Sequence, residues 1–503
     1  MNRVAVVGAG VGGLTTAAVL AKAGVDVTVL EAHIYPGGCA GSFYYQGYHF
    51  DAGATLAAGF YPGGPMEIVA QAAGIERWDT RPSVPAMMVH LPDGTQVSLE
   101  SDERRWLSRR SQFGAAGESF FQWQETRAEA LWDLTLRGIP WPPQSPAEAW
   151  QLVSQGLAWL RAHPGTRLTP GFLLDAIRPV QTHLQNADEN LKLLIDAQLL
   201  ISAQTTSEYA NALYAAAALD LPRRGAALLA GGMGAIGTRL AQAVEDNGGQ
   251  VRYRKRVQHV HQQSDGVVSI ELQRGESISA DVVIFNLTPW NIASLLGEPL
   301  PRSLRRLPAR PKGGWGAFMM YVGIDQAAIP AGFPVHHQIL RGRPLGEGNS
   351  IFLSINPEWD TGRAPSGKRA ITISTHTALS EWWQLYEEDL EGYTQRRASL
   401  QEKMLSTAEI VLPALRDHID LILDGTPITF ERFTGRAFGW VGGFPQTNLF
   451  QSFAPRLSDN LWMVGDSIFP GQSTAAVALG GLRVAGSILR ALKLDLKLNP
   501  TIE

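Results

Sequence analysis

The sequence has little of what marks several common classes of protein. Its 503 residues contain one cysteine, Cys39, which excludes an internal disulfide framework and is typical of a reducing compartment. No cluster of cysteine and histidine suggests a structural metal site. Lys and Arg number 43 against 47 Asp and Glu, a net charge of −4, so no basic surplus argues for nucleic acid. At about 100–200 residues per domain, the length predicts two to four domains.

Long apolar runs are lacking as well. Residues 4–20 are apolar but rich in glycine, and only Arg3 is basic ahead of them, so we expect no signal peptide. The richest later stretch, residues 213–233, is broken by Asp220 and Pro222, and no run reaches the ~18 apolar residues of a membrane span. We therefore expect no transmembrane helix, and a protein on the cytoplasmic side that associates peripherally with a membrane.

What is present begins with a strand, turn, helix and strand at the start of the chain. A short apolar strand is predicted over residues 2–7, and a glycine-rich turn follows it at once. Residues 14–23 have helical character, and residues 25–30 form a second apolar strand that ends at Glu31. This order of elements is the context in which a dinucleotide-binding glycine motif is specific.

Each residue of that motif has a physical task. Gly8 permits the tight turn, Gly10 lets the backbone approach a pyrophosphate, and Gly13 allows the helix to pack closely on the strand. The helix N-terminus offers free N–H groups to the phosphates. Glu31 is placed to accept hydrogen bonds from a ribose diol. We therefore predict a bound dinucleotide.

Two further segments favour FAD over NAD. The turn at residues 36–42 is a second glycine-rich turn, which suits a long flavin dinucleotide that the chain follows from adenosine towards the ring; a plain surface loop is the alternative. Near the end of the chain, a predicted strand over residues 460–464 leads through Asp466 into a helix from about Ser473. The acid suits a ribityl hydroxyl, and the helix N-terminus would face the flavin N1–C2 edge. A turn and a helix cap are the alternatives there.

The predicted fold class is α/β, with a Rossmann-type FAD-binding domain assembled from discontinuous segments. Residues 1–80, 225–287 and 455–492 are assigned to that domain. Residues 81–119 and 288–454 are assigned to an inserted α+β substrate domain, whose strands would form a sheet floor against the flavin. Residues 120–224 are assigned to a helical, membrane-facing lid.

The lid prediction depends on apolar and aromatic residues. The helix predicted over residues 188–203 is apolar on most faces. Such a helix is either buried, which is the default, or it covers an apolar ligand or contacts lipid. Tryptophans are concentrated in this part of the chain and are compatible with a membrane interface: Trp123, Trp132, Trp141, Trp150 and Trp159. Basic and apolar stretches at residues 104–110 and 302–312 would assist docking on anionic lipid, with solvated faces as the alternative.

Taken together, these motifs resemble one family. The opening GAGVGG with Glu31, the turn PGGCAGS, the segment GGMG with Val257 and the run GDSIFPGQSTAAVALGG are similar to the FAD-dependent carotenoid desaturase and isomerase superfamily, which is phytoene desaturase-like. That superfamily shares its fold with amine oxidases and Rab GDP-dissociation inhibitors. The last run and residues 433–436, FTGR, look closest to the carotenoid 3′,4′-desaturase and carotene isomerase branch.

The resemblance implies a set of cofactor contacts. It puts the fingerprint glycines on the pyrophosphate, Glu31 on the adenosine ribose, the Val257 backbone on the adenine, and Asp466 with the following turn on the ribityl chain and flavin edge. Many relatives carry arginine where this chain has Cys39, which weakens an amine oxidase reading and leaves Cys39 as a small residue beside the cofactor. The residues expected to bind FAD are Gly8, Gly10, Gly12, Gly13, Glu31, Gly37, Gly38, Cys39, Ala40, Val257, Gly465, Asp466, Gln472, Ser473 and Thr474.

The function implied is desaturation of an apolar polyene, a carotenoid, by hydride transfer to the flavin N5. The alternatives are a carotene cis–trans isomerase that uses reduced FAD, an amine oxidase, and a non-catalytic isoprenoid-binding protein. A polyene has no ionisable group, so a general base would contribute little, and no catalytic residue is assigned. His49, His336, His337 and His376 are interpreted as structural. The expected partners are the polyene, a membrane surface and an electron acceptor that is a quinone or O2, with no nucleic acid and no metal.

Overall fold

The computed structural model describes residues 3–167, 169–263, 266–311, 313–449 and 452–494. Residue 2 of the first predicted strand and Lys312 of the second basic stretch lie outside them. Within the described ranges the α-helices are α1 Val11–Lys22, α2 Pro65–Ala73, α3 Arg104–Leu136, α4 Pro146–Ala162, α5 Pro164–Arg167, α6 Pro170–Asp175, α7 Glu189–Ala203, α8 Ala212–Ala218, α9 Gly234–Asp246, α10 Pro289–Leu296, α11 Leu379–Glu388, α12 Leu390–Ala408, α13 Pro427–Thr434 and α14 Thr474–Ala491.

The strands alternate with these helices along the chain, so the fold is a mixed α/β fold, as predicted. In the same described ranges they are β1 Arg3–Val7, β2 Asp26–Leu30, β3 Ser42–Tyr45, β4 Tyr48–Asp51, β5 Ala57–Ala58, β6 Thr80–Ser83, β7 Met87–His90, β8 Gln96–Leu99, β9 Ala226–Leu229, β10 Gln250–Arg252, β11 Val257–Gln262, β12 Val268–Leu272, β13 Ser277–Ala280, β14 Val282–Phe285, β15 Trp315–Asp325, β16 His336–Leu340, β17 Ser350–Ile355, β18 Lys368–Ala378, β19 Ile419–Gly425 and β20 Leu461–Met463.

A five-stranded parallel sheet collects strands from distant parts of the chain. Its order is β10-β2-β1-β14-β20, and every neighbouring pair in it is parallel. Every residue of β14 is buried, as expected for a parallel strand that is covered on both faces. Helix α1 packs against α14 and α9, and glycines permit the close approach, since a Cβ at Gly481 would lie 2.5 Å from the carbonyl oxygen of Gly12. The carboxyl ends of these strands therefore meet at one edge.

A second, larger sheet is mostly antiparallel and has the order β19-β15-β18-β17-β16-β7-β8. Alternation along β15 gives this sheet two different faces. Phe318, Met320 and Val322 point into a core that includes Trp382 of α11, whereas Met319 lies on the opposite face. One face is thus closed by α11 and α12, and the other is left to form a wall.

Helices cover that second face. The core cluster containing Leu194 of α7 also holds Phe120 of α3 and Val89 of β7, so α7 lies between α3 and the large sheet. Most of the apolar surface of α7 is therefore buried, and part of it, at Ala197, Leu200 and Ile201, lines the cavity described below. Among the five tryptophans of this region, Trp150 is mostly exposed, at 73%, Trp123 and Trp141 are half-buried, and Trp132 and Trp159 are buried.

One helix in the described part of the chain, α14, has the length and hydropathy of a membrane span. Just over half of its most apolar window is buried inside the fold. It packs between α1 and α2, and its apolar side chains, such as Val484 and Ile488, belong to the core of the parallel sheet. These contacts are those of a core helix.

Candidate cofactor and substrate site

A large cavity of about 550 Å³ begins at the carboxyl edge of the parallel sheet and extends to the open face of the seven-stranded sheet. The loops after β1, β2, β14 and β20 form one end of it. Side chains of β15, β16, β17, β18 and α7 form the other end. The carboxyl edge of a parallel sheet is where such folds bind their ligands, so the position of the cavity agrees with a dinucleotide site that opens onto a second compartment.

The fingerprint glycines divide between the cavity wall and the packing behind it. Gly8 and Gly10 line the cavity. Gly12 and Gly13 do not, and lie where α1 meets the chain after β14. A Cβ at Gly13 would stand 2.6 Å from the carbonyl oxygen of Gly8 and 2.8 Å from the Cβ of Asn286. Gly13 therefore serves the close packing expected of it, and it contributes no surface to the cavity.

Glu31 stands at the end of β2 with its carboxylate already oriented. One oxygen accepts a hydrogen bond from the Ala9 N–H at 2.7 Å and the other from the His33 N–H, also at 2.7 Å. A carboxylate has about four lone-pair sites, so acceptor capacity is left for a diol. Lys255 donates its backbone N–H to the Glu31 carbonyl at 2.8 Å, and two residues later Val257 lines the same part of the cavity. Two segments remote in sequence thus form one end of the site.

The second glycine turn touches the first. The Gly37 N–H donates to the carbonyl of Ala9 at 2.8 Å, and a short 3₁₀ turn follows at Gly38–Ala40. Gly37 has φ 113°, a conformation that disfavours a side chain. Gly38, Cys39 and Ala40 line the cavity beyond it. Cys39 is half-buried, and burial raises the pKa of its thiol, so it stays protonated near neutral pH.

An ion pair stands at the end of β20. The Arg436 guanidinium donates to the Asp466 carboxylate at 2.9 Å and to the Trp440 carbonyl at 2.7 Å, and it lies against Cys39. All but Trp440 line the cavity. Sequence reasoning placed Asp466 at the site but missed Arg436, although FTGR was among the motifs of the resemblance. The ion pair with Arg436 engages one carboxylate oxygen of Asp466, and the other carboxylate oxygen can accept a hydrogen bond from a ligand.

The turn into α14 also reaches the cavity, through Gln472, Ser473 and Thr474. Ser473 is a helix cap, as the alternative proposed, because its hydroxyl accepts from the Ala476 N–H at 3.2 Å. Gln472 is 6% exposed, and neither polar atom of its amide has a partner within the described chain. A buried amide left unpaired costs free energy unless a ligand satisfies it, so this turn fits a polar cofactor.

The far wall of the cavity is mainly apolar. Six polar side chains of this wall interrupt the surface, and the last two are two residues apart on β18: Ser202, Gln204, Gln338, Ser350, Ser374 and His376. The Gln338 amide is satisfied by α7, since its Nε2 donates to the Ala197 carbonyl at 3.0 Å. The apolar lining residues of this wall are Ala197, Leu200, Ile201, Ala317, Met319, Ile351 and Phe352.

The four histidines named from the sequence lie in different surroundings. His337 pairs with His90, ring nitrogen to ring nitrogen at 2.9 Å, and His336 lies 2.9 Å from the Ser354 hydroxyl. His49 stacks on Tyr44 at the surface. His376 is the one of the four that lines the large cavity, and burial lowers its pKa to about 4. No group of acidic, histidine or cysteine residues in the described ranges has the arrangement of a metal site.

Comparison with curated proteins finds carotenoid enzymes. The chain is 27% identical over 514 residues to the prolycopene isomerase of Daucus carota, covering 98% of this chain and 80% of that protein. It is 24% identical over 524 residues to the neurosporene-forming phytoene desaturase of Rhodobacter capsulatus, covering 98% and 95%. The resemblance to carotenoid desaturases and isomerases is therefore confirmed.

Solved structures agree on the fold. The cyclohexylamine oxidase of Brevibacterium oxydans superposes with a TM-score of 0.60 at 14% identity, covering 98% of this chain and 99% of that one. The sequence profile described as flavin containing amine oxidoreductase matches residues 11–399, most of the chain. The predictions of a flavin cofactor and of a flavin-dependent oxidoreductase are confirmed by that match. The chain belongs to the family of flavin containing amine oxidoreductases.

Proposed function

We propose that the protein is an FAD-dependent carotenoid desaturase, which introduces a double bond into an apolar polyene. The observation that carries the proposal is the continuity of the cavity, which joins the dinucleotide edge of the parallel sheet to an apolar wall. A phytoene desaturase that is 24% identical over 98% of this chain adds support.

In this proposal the parallel-sheet end holds FAD. Glu31 accepts from the ribose diol, the backbone at Gly8 and Gly10 lies against the pyrophosphate, and the backbone of Val257 against the adenine. Asp466 and the turn at Gln472 hold the ribityl chain and the flavin edge. When bound, FAD supplies the acceptor for a hydride.

The substrate end has two tasks, which are to align the polyene and to exclude water. Side chains such as Met319, Ile351 and Phe352 present an apolar surface to the chain of the substrate. Because a polyene offers no charge or hydrogen bond for recognition, its position is fixed by the shape of this wall. Alignment of the reacting carbon with the cofactor is then the main contribution of the protein to the rate.

Isomerisation of a carotene with reduced FAD is the second candidate. It is favoured by the 27% identity to prolycopene isomerases over 98% of this chain. Amine oxidation is less well supported, because the described lining of the apolar wall contains no carboxylate to pair with an ammonium group.

We also propose that residues 81–119 and 288–454 form the substrate domain. The helical region of the protein, residues 120–224, then acts as a lid that docks on a membrane. Leu173 of α6 is 61% exposed, Ile177, two residues after this helix, is 77% exposed, and Trp150 of α4 is 73% exposed. The double variant W150S/I177S is expected to bind anionic vesicles at least about 100-fold more weakly in co-sedimentation, since two inserted side chains at about 1.5–3 kcal/mol each contribute about 3 kcal/mol or more together. L390S, an equally exposed leucine on α12, is the control; equal loss in both would refute the docking face.

The test of function is an anaerobic incubation of lipid-reconstituted protein with cis and trans carotenes and with FAD supplied oxidised or reduced. Products are resolved by chromatography with absorption and mass detection. A product two hydrogens lighter, formed with oxidised FAD, is expected. A trans product of equal mass that requires reduced FAD would establish isomerisation instead, and unchanged carotenes would refute both.

A further inference from the structure

We propose that His376 is the base that accepts the proton lost by the substrate in desaturation. This inference rests on the proposed function. It concerns a side chain that the sequence pattern assigned to structure, and it gives the apolar wall a chemical task in addition to its shape.

The ionisable residues that line the cavity fall into three groups. Glu31, His33, Tyr35, Lys255 and Arg256 gather around the end of β2. Cys39, Arg436 and Asp466 form a second group, in which the acid is already paired with the guanidinium. His376 is the third group by itself, the one ionisable residue contributed by the large sheet and α7 among the described lining.

The position of His376 in the sheet holds its ring at the cavity surface. It lies on β18, which is flanked by β15 and β17. The Trp315 ring meets the imidazole edge to face, with 5.9 Å between centroids. The Gln204 amide nitrogen is 3.5 Å from the His376 Nε2, at the limit of a hydrogen bond. No carboxylate or cation contacts the imidazole in the described structure.

Burial without a charged partner keeps this imidazole neutral. Its pKa is lowered to about 4, because the charged form would be poorly solvated. At pH 7 one ring nitrogen therefore carries a lone pair and no proton, and the only donor that approaches Nε2 in the described structure is the distant Gln204 amide at 3.5 Å. A base of this kind suits a proton on a carbon next to developing positive charge, which is far more acidic than an ordinary C–H.

The balance of the reaction requires such an acceptor. Desaturation converts a CH–CH unit into C=C: one carbon would lose hydrogen with its electron pair, a hydride, for which bound oxidised FAD would be the two-electron acceptor. The adjacent carbon loses a proton to His376, and the electron pair of that C–H bond becomes the new π bond. The substrate is oxidised by two electrons and becomes two hydrogens lighter. A cis–trans isomerisation releases no proton and does not need His376.

The experiment compares wild type, H376Q and H376A with the control H336Q, which makes the same change at a buried histidine of the same sheet that does not line this cavity. Flavin absorbance of each purified protein reports that the fold and cofactor are retained. We expect desaturation to fall by about 100-fold in both His376 variants and to stay unchanged in H336Q. Added imidazole is expected to restore part of the rate in H376A, where the ring leaves a space.

The outcomes separate this inference from the proposed function. Desaturation by H376Q and H376A at the wild-type rate would overturn the role of His376 and leave the proposed function intact. A loss of rate in H376A that imidazole does not restore, in a protein with full flavin content, would also overturn it, since the ring would then act through packing. If wild type yields no product two hydrogens lighter from any polyene, the proposed function fails, and the role of His376 with it.

Discussion

The two ends of the cavity are built in different ways. At the parallel-sheet end, backbone groups and small residues form most of the surface. They belong to a glycine turn after β1 and a second turn at Gly38–Ala40, and a carboxylate after β2 is held beside them by two N–H donors. At the other end the wall consists of side chains from four strands and a helix, among which apolar residues are the larger group. One end is specified by backbone conformation and the other by side-chain volume.

The difference bears on how each end tolerates change. A backbone turn that needs glycine fails when a Cβ is added, because the neighbouring atoms are main chain and cannot move away. An apolar wall accepts substitutions of similar volume at a cost of less than about 1.5 kcal/mol. We therefore expect cofactor binding to be sensitive to single atoms, and substrate choice to change gradually with the size of the wall residues.

The largest effect is expected for Gly13→Val, which tests the backbone-built end. The added Cβ would lie 2.6 Å from the main-chain oxygen of Gly8, so α1 cannot pack as it does. We expect protein without bound flavin, measured by the ratio of absorbance at the flavin band to that at the protein band. Gly156→Ala on α4, where a Cβ meets open space, is the control and should keep its flavin. Normal flavin content in the valine variant would refute the packing role of Gly13.

A substitution at Asp175, which lines neither end of the cavity, is expected to lower the stability of the fold without changing cofactor binding. Burial acts to raise the pKa of Asp175, but hydrogen bonds from His183, Arg127, Trp123 and Arg178 outweigh it and hold the pKa below its ordinary value. A depressed carboxyl pKa contributes stability above the unfolded value, about 3.9, that is lost as the pH falls. We expect Asp175→Asn to lower the free energy of unfolding by about 3 kcal/mol at pH 7.

The pH dependence distinguishes this cause from a general loss of packing. The difference in denaturant midpoint between wild type and Asp175→Asn should narrow from pH 7 to pH 3, because the Asp175 carboxyl of the unfolded wild type takes up a proton near its ordinary pKa of about 3.9. The native carboxylate, whose pKa is lower, stays ionised over this range. Flavin content should be equal in the two proteins. A difference that stays constant with pH would show that the charge of Asp175 contributes nothing.

The smallest effect is expected at the border between the two ends, for Arg436→Gln. The change removes the guanidinium that holds Asp466 at 2.9 Å, and both side chains are partly open to the cavity. We expect flavin to bind about tenfold more weakly, equivalent to about 1.4 kcal/mol, as measured by titration of flavin-free protein. Lysine at this position should restore part of the affinity. Arg432→Gln, an exposed arginine of α13, is the control, and equal weakening there would contradict a specific role for the ion pair.

The same contrast explains how much the sequence could predict. Gly8, Gly10, Glu31 and Asp466 were predicted at the site and line the cavity. Each belongs to a local turn or a strand end, and a short stretch of sequence is enough to indicate such a feature. Arg436 and Gln204 were not predicted as site residues, because their positions at the site depend on contacts with Asp466 and His376, which lie in other segments of the chain. Ser473 was correctly weighed as a cap or a site residue, and it is both a cap and part of the lining.

His376 illustrates the limit most clearly. Its alternation with Thr375 along β18 predicts only that one of the two faces a buried side, not that this side is a cavity. The pairing of β18 with β15 and β17, and the placement of α7 across the open face, decide the matter. Such pairings join residues that are far apart in the chain, and the pattern of a single segment does not contain them.

The strand order of the parallel sheet has a consequence for how the protein is made. Strand β1 lies between β2 and β14, and β14 is completed on its other side by β20 at Leu461–Met463. At roughly 5–20 residues per second, a ribosome needs on the order of 20 to 90 s to pass from β2 to β20. During that interval the N-terminal glycine turn exists without the strand and helix that complete its pocket. We therefore expect the cofactor to bind only after β20 and α14 have been synthesised, when all the segments that line its end of the cavity are present.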